Sequence, residues 1–243
     1  MSSSLKRARH YNRVLLKLSG ECMASPELLS GVVRQLAHAR RLGATLAVVV
    51  GGGNIVRGRD YGNPESGTQG SSSSTGLTRV AADRAGMIAT VINGIRLSKT
   101  LPVPATHLCA FGIPGMVEHY TVERAQAELA AGRIVVLSGG TGNPYFSTDS
   151  AAALRAAELG VELLMKATNV AGVYSADPRQ TKNARLYRRL SYEQALAARL
   201  AVMDLPAFAL CMECRIPIRV FDLSRPRAII EIIQGKEIGS YIC

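Results

Sequence analysis

Lys17 lies next to the end of the apolar run Val14–Leu18, which gives way to Ser19-Gly20. A lysine at the end of a buried strand, next to small residues, sets a compact positive charge beside open backbone N–H groups, which suits bridging phosphates. A strand-end lysine reaching to solvent would show the same spacing. Gly51-Gly52-Gly53-Asn54, with Arg57 shortly after, follows a second apolar run. Consecutive glycines let backbone amides approach an anion closely, and an arginine offers a fork-like phosphate contact. An ordinary flexible turn is the plainer reading. Gly139-Gly140-Thr141-Gly142-Asn143-Pro144-Tyr145-Phe146-Ser147-Thr148-Asp149 combines flexible backbone, hydroxyls, aromatics and a carboxylate just before a helical pattern. Thr148 or Asp149 fits as a plain N-cap, but a cap leaves the TGNP run unexplained. Neither G-x-x-x-x-G-K-[ST] nor G-x-G-x-x-G occurs, so phosphate chemistry is expected without a Walker A loop.

The elements that must position these loops alternate. Val14–Leu18 and Thr45–Val50 read as buried strands, with a helix between them that opens at Ser25-Pro26 and closes at Gly43. A helical pattern runs from Thr78 to Thr100. Pro102–Cys109 reads as strand, Thr121–Ala130 as helix, Ile134–Leu137 as strand, Ala151–Leu159 as helix and Val161–Lys166 as strand. Val170–Ser175 has hairpin character. Asp204–Cys214 reads as helix, Ile216–Phe221 as strand, Arg225–Ile233 as helix and Ile238–Ile242 as a last strand. Such alternation predicts a mainly parallel central sheet sandwiched by helices, a three-layer αβα arrangement. Ligands then bind beyond the carboxyl ends of the strands. Residues 1–243 are expected to form one domain, with a basic flexible tail over 1–12 and a mobile Gly/Ser-rich loop over 61–76.

The chain has 243 residues, 47% of them hydrophobic, enough for one large α/β core. No apolar run reaches the roughly 18 residues of a membrane span. Met1–Arg13 is polar and basic, unlike a secretory signal, so a cytoplasmic location without membrane partners is expected. Cys22, Cys109, Cys211, Cys214 and Cys243 show no disulfide spacing. Cys211-x-x-Cys214 lacks two further ligands nearby and reads as packing cysteines on a helix. The net charge of +11 invites a nucleic-acid reading. Yet its cations cluster in the tail and around Arg179–Arg189, there is no Trp, and no aromatic spacing suits base stacking. A solvated basic surface that attracts nucleotides is expected, with no nucleic-acid partner.

Seven stretches, in order, resemble the amino acid kinase superfamily and within it the bacterial UMP kinases. They are LLKLSGE (15–21), VVGGGNIVRG (49–58), AADRAGMIATVING (81–94), LSGGTGNPYFSTDSAAALRA (137–156), KATNVAGVYSADP (166–178), VMDLPAFAL (202–210) and IPIRVFDL (216–223). The resemblance implies transfer of the γ-phosphoryl group of ATP to UMP, with Mg²⁺ carried by the phosphates. It implies that Lys17 bridges phosphates. Leu18, Ser19, Gly20, Gly53 and Arg57 contact ATP, and Thr168, Tyr174 and Asp177 line its adenine–ribose pocket. Gly52, Asp83 and the run Thr141, Gly142, Asn143, Pro144, Tyr145, Phe146, Ser147 and Thr148 hold UMP. Asp149 and Asp204 orient Lys17 and help position Mg²⁺. It further implies a homohexamer inhibited by UTP. A carboxylate or carbamate kinase of the same superfamily, and a non-catalytic nucleotide-binding protein, are the competing readings. Two departures stand out: the short turn Glu21–Pro26, where relatives carry a longer regulatory segment, and the long Ser-rich loop. Weak GTP activation is therefore expected.

Overall fold

Apolar runs without polar alternation mark strands covered on both faces, and Val14–Leu18 and Thr45–Val50 lie at the centre of the sheet. The structure is a computed structural model that describes residues 10–56, 78–200 and 202–243. Along the chain the elements are β1 (Arg13–Leu18), α1 (Gly20–Ala24), α2 (Pro26–Arg41), β2 (Thr45–Val50), α3 (Arg79–Thr100), β3 (Ala105–Cys109), β4 (Glu118–His119), α4 (Val122–Ala130) and β5 (Ile134–Ser138). There follow α5 (Thr148–Glu158), β6 (Leu163–Thr168), β7 (Val173–Tyr174), β8 (Leu186–Tyr187), β9 (Arg189–Leu190), α6 (Tyr192–Ala197), α7 (Leu205–Glu213), β10 (Ile218–Asp222), α8 (Ala228–Ile233) and β11 (Ser240–Ile242).

Among the described residues, nine strands form one sheet in the order β4-β3-β5-β2-β1-β6-β10-β11-β9. Its neighbours are parallel except β10 and β11. The chain builds outward from β1 to β2 on one side and returns to β6 on the other. The strand order therefore reverses at β1, where an open α/β sheet forms its ligand crevice.

Side chains alternate across the sheet, so β1 divides its residues between two cores. Leu16 and Leu18 pack with Val48, Val50 and Phe221 against Val32 and Leu36 of α2 and Ile229 of α8. Leu15, Val49 and Leu164 face Ala152, Ala153 and Ala156 of α5 and Phe208 of α7. Lys17 shares the face of Leu15 and so points toward α5. The alanines of α5 let that helix come close to the strand ends, as a contact between its first turn and Lys17 requires.

Several boundaries differ from expectation. Tyr11, placed in the flexible tail, is 5% exposed and its N–H donates to Ile233 O at 2.9 Å. Strand β3 begins only at Ala105, because Pro102 and Pro104 lack the N–H that a ladder needs. Ser147, not Thr148 or Asp149, caps α5, its Oγ accepting from the N–H of Asp149 and Ser150. Helix α8 starts three residues late, after Pro226 and the left-handed Arg227 (φ 64°). Glu21–Ala24, read as a turn, belongs to α1. The expected loop over 61–76, residues 1–9 of the expected tail, and Arg57 lie outside the described residues.

Candidate active site

Strands β1 and β6 pair so that Lys17 stands opposite Lys166. Neighbouring residues in register lie on the same face of a sheet, so two ammonium groups project side by side toward α5. Asp149, in the first turn of α5, sits between them. Its Oδ1 is 2.9 Å from Lys17 Nζ and its Oδ2 2.7 Å from Lys166 Nζ. Lys166 also donates to Val202 O at 2.6 Å. Because Ser147 takes the cap, the Asp149 carboxylate is released from capping and free to face the lysines.

The charges are tightly coupled. Burial pushes the Asp149 carboxyl up, but Lys17 and Lys166 outweigh it and hold it below the ordinary range. Burial lowers Lys166 in turn, with Asp149 opposing and Lys17 reinforcing the shift. An ionised Asp149 between two ammonium groups leaves this three-residue cluster with one net positive charge. That is the polarity a migrating phosphoryl group needs.

Asp204, expected to orient Lys17, does something else. It caps α7, accepting from Ala207 N at 3.1 Å, and accepts from Ser150 Oγ at 3.0 and 3.1 Å. It still lines the cleft beside Lys17, and its charge favours the ammonium form of Lys166. Asp149 does the orienting.

Glycines bring the loops together. A Cβ on Gly20 would lie 2.5 Å from Gly53 N, and one on Gly52 would lie 2.7 Å from Gly86 O of α3. The turn after β1, the turn after β2 and α3 therefore meet backbone to backbone, a packing that side chains would prevent. In the loop after β5, Gly139, Gly140 and Gly142 take φ of 79°, 61° and 87°, and Tyr145 takes 69°. Thr141 Oγ1 accepts from Asn143 N and donates to Asn143 O, both at 3.2 Å, so this hydroxyl shapes the loop. Asp83 on α3 accepts from Arg79 Nε at 2.8 Å and from Tyr145 N at 2.9 Å. That contact anchors the loop while Tyr145 and Phe146 stay 68% and 53% exposed.

Among the described residues, two cavities lie at these strand ends, each of about 470 Å³. The first collects Lys17, Ser19, Gly20, Gly52, Gly53, Asp83, Asn143, Tyr145, Phe146, Ser147, Thr148, Asp149 and Asp204. The second collects Thr168, Tyr174 and Asp177, with Lys166 on its wall. Thr168 Oγ1 donates to Val170 O at 2.8 Å, and Asp177 Oδ1 accepts from Arg179 N at 2.9 Å, so both also shape their turns. Four expected residues stay off these walls. Leu18 is buried in the core and its carbonyl accepts from Gly51 N, while Thr141, Gly142 and Pro144 lie in the loop after β5 that carries the wall residues. Lys166 escaped the sequence reading, although it carries the same signal as Lys17, a lysine near the end of a buried strand.

The Amino acid kinase family matches residues 12–222. The chain belongs to the amino acid kinase family. The uridylate kinase of Paramagnetospirillum magneticum is 43% identical over 242 residues, covering 96% of both chains. That of Pseudomonas aeruginosa is 38% identical over 246 residues, covering 97% of this chain and 96% of the relative. The crystal structure of a UMP kinase from Bacillus anthracis superposes with a TM-score of 0.87 at 30% identity, covering 96% of each chain. For this member of the amino acid kinase family, no helix among the described residues is long and apolar enough to cross a membrane.

Proposed function

We propose that the protein is a UMP kinase, moving the γ-phosphoryl group of ATP onto UMP in the cytoplasm. The observation that carries this reading is the Lys17–Asp149–Lys166 cluster at the junction of two cavities. UMP occupies the first cavity, with Asp83 on its ribose and the 143–148 loop around its base and phosphate. ATP places adenine and ribose in the second, against Thr168, Tyr174 and Asp177, and its phosphates reach toward Lys166 and Lys17.

A phosphate oxygen of UMP attacks the γ-phosphorus, and the bond to the β–γ bridging oxygen breaks to release ADP. The acceptor is already anionic at neutral pH, so no general base is required. Catalysis then rests on alignment and on stabilising charge in a loose transition state. The two lysines and the N–H groups of the glycine turns face that charge.

Among the described residues, no group of three or more His, Cys, Asp or Glu side chains is arranged to hold a metal ion. Mg²⁺ is commonly held by one or two carboxylates plus substrate phosphates. Asp149 and Asp204 on the cleft wall fit that mode, and Asp149 Oδ1 has no aligned hydrogen-bond donor. Mg²⁺ bound there with ATP would neutralise phosphate charge.

A coupled assay of ADP release, with UMP, CMP, N-acetylglutamate, aspartate and carbamate as acceptors and with or without Mg²⁺, tests the reading. UMP should be the preferred acceptor, and turnover with a carboxylate or carbamate instead would overturn it. Asp83→Asn is expected to raise the KM for UMP more than it lowers kcat. A contact made equally in ground and transition states changes KM alone, and the variant also weakens the Tyr145 N–H contact that holds the loop. An unchanged KM for UMP would take Asp83 out of the acceptor site. UTP shares the base and ribose of UMP and so competes for the same cavity.

A further inference from the structure

We infer that Thr90 and Asn93 of α3 are positioning residues that set the gap between the two glycine loops of the cleft. The inference rests on the kinase reading above.

Both side chains are polar and buried, Thr90 at 2% exposure and Asn93 at 0%. Burying such groups costs free energy unless they are hydrogen-bonded, and both are bonded to site loops. Asn93 Nδ2 donates to Gly51 O at 2.7 Å and to Asn54 Oδ1 at 2.7 Å. It therefore grips both ends of the Gly51-Gly52-Gly53-Asn54 turn. Thr90 Oγ1 donates to Met87 O, 2.6 Å away within its own helix, and accepts from Gly139 N at 2.7 Å. It therefore grips the first residue of the loop after β5.

The two residues are three apart on a helix and so lie on one face. Asp83, on the same face two turns earlier, holds Tyr145 N. Gly86 and Ala89, also on this face, touch the space where a Gly52 side chain would be. One rigid helix thus holds the loop after β2 and the loop after β5 at a fixed separation. In the kinase reading, these loops present UMP to the transferred phosphoryl group. A misplacement of about 1 Å in such an alignment costs on the order of 10²-fold in rate.

Thr90→Val keeps the shape of the side chain but leaves the Gly139 N–H without its acceptor. Its kcat/KM for UMP should fall on the order of tenfold or more, while binding of a non-hydrolysable ATP analogue stays within about twofold. Thr90→Ser restores the hydroxyl and should recover most of the loss. Asn93→Ala, measured in parallel, should lower kcat more than it changes either KM. A role in stability alone predicts a lower melting temperature with unchanged kcat and KM, and that result would overturn the inference. If Thr90→Val does not fold, hydrogen exchange on the wild type decides. The Gly139 amide should exchange as slowly as those of α3, and fast exchange there would refute the clamp. A wild type inactive on UMP defeats the functional reading, whereas an active wild type with an unaffected Thr90→Val defeats only this inference.

Discussion

Lys17→Ala is expected to lower kcat on the order of 10²-fold or more while UMP still binds. The Lys17 ammonium is nearly buried at the end of β1 and held 2.9 Å from Asp149. A pre-positioned charge in a water-poor site stabilises developing negative charge without reorganising, which water cannot match. Its neighbour Lys166 pairs with Asp149 and Val202 O, so it does not swing over to replace it. UMP affinity should change little, because Asp83 and the 143–148 loop are untouched. Steady-state rates with a UMP titration check both halves. A variant within threefold of wild type would show that Lys17 has no share in transfer.

Asp149→Asn is expected to do comparable damage to kcat and to cost stability as well. The carboxylate separates two ammonium groups on adjacent strands. Without its charge they repel, and both drift from the positions that face the phosphates. Removing one partner from a buried ion cluster commonly costs about 3 kcal/mol or more. The pH dependence gives a separate signature. The folded-state pKa of Asp149 is depressed, because the two lysines outweigh burial. Its contribution to stability is therefore complete above the unfolded carboxyl value and lost as pH falls through the folded one. The gap in melting temperature between wild type and Asp149→Asn should be widest near neutral pH and close in acid. A gap that stays constant from neutral to acid pH would show that the carboxylate charge is not what stabilises the cluster.

The legible parts of the chain were those whose periodicity is dictated by burial. Strands β1, β2 and β5 are apolar on both faces, and the helix of Leu29, Val32, Val33 and Leu36 shows its buried stripe at helical spacing. The two-residue strands β4, β8 and β9 are too short to carry a period. Helix α6 is short as well, yet Ser191 and Gln194 form a capping box there, a signal that hydrophobic periodicity passes over. The cap of α5 was misplaced by one or two residues because Ser147, Thr148 and Asp149 are all good caps, and only the path of the backbone selects among them.

The amino-acid sequence by itself determined the kinds of groups at the strand ends and the family to which they belong. Lys17, the glycine runs, Asp83 and the TGNP loop are readable because each is a local pattern of residue types beside an apolar run. Which of these groups touch was decided by tertiary structure. Lys17 and Lys166 are far apart in the chain, and it is the parallel register of β1 with β6 that makes them neighbours. Asp149 falls between them because α5 packs its alanines against those strands, while the equally plausible Asp204 is claimed by the N-terminus of α7. Thr90 and Asn93 look in sequence like unremarkable polar residues of a helix. They acquire their partners only when α3 is laid across both loops, because a hydrogen bond depends on positions in space that spacing along one helix does not contain.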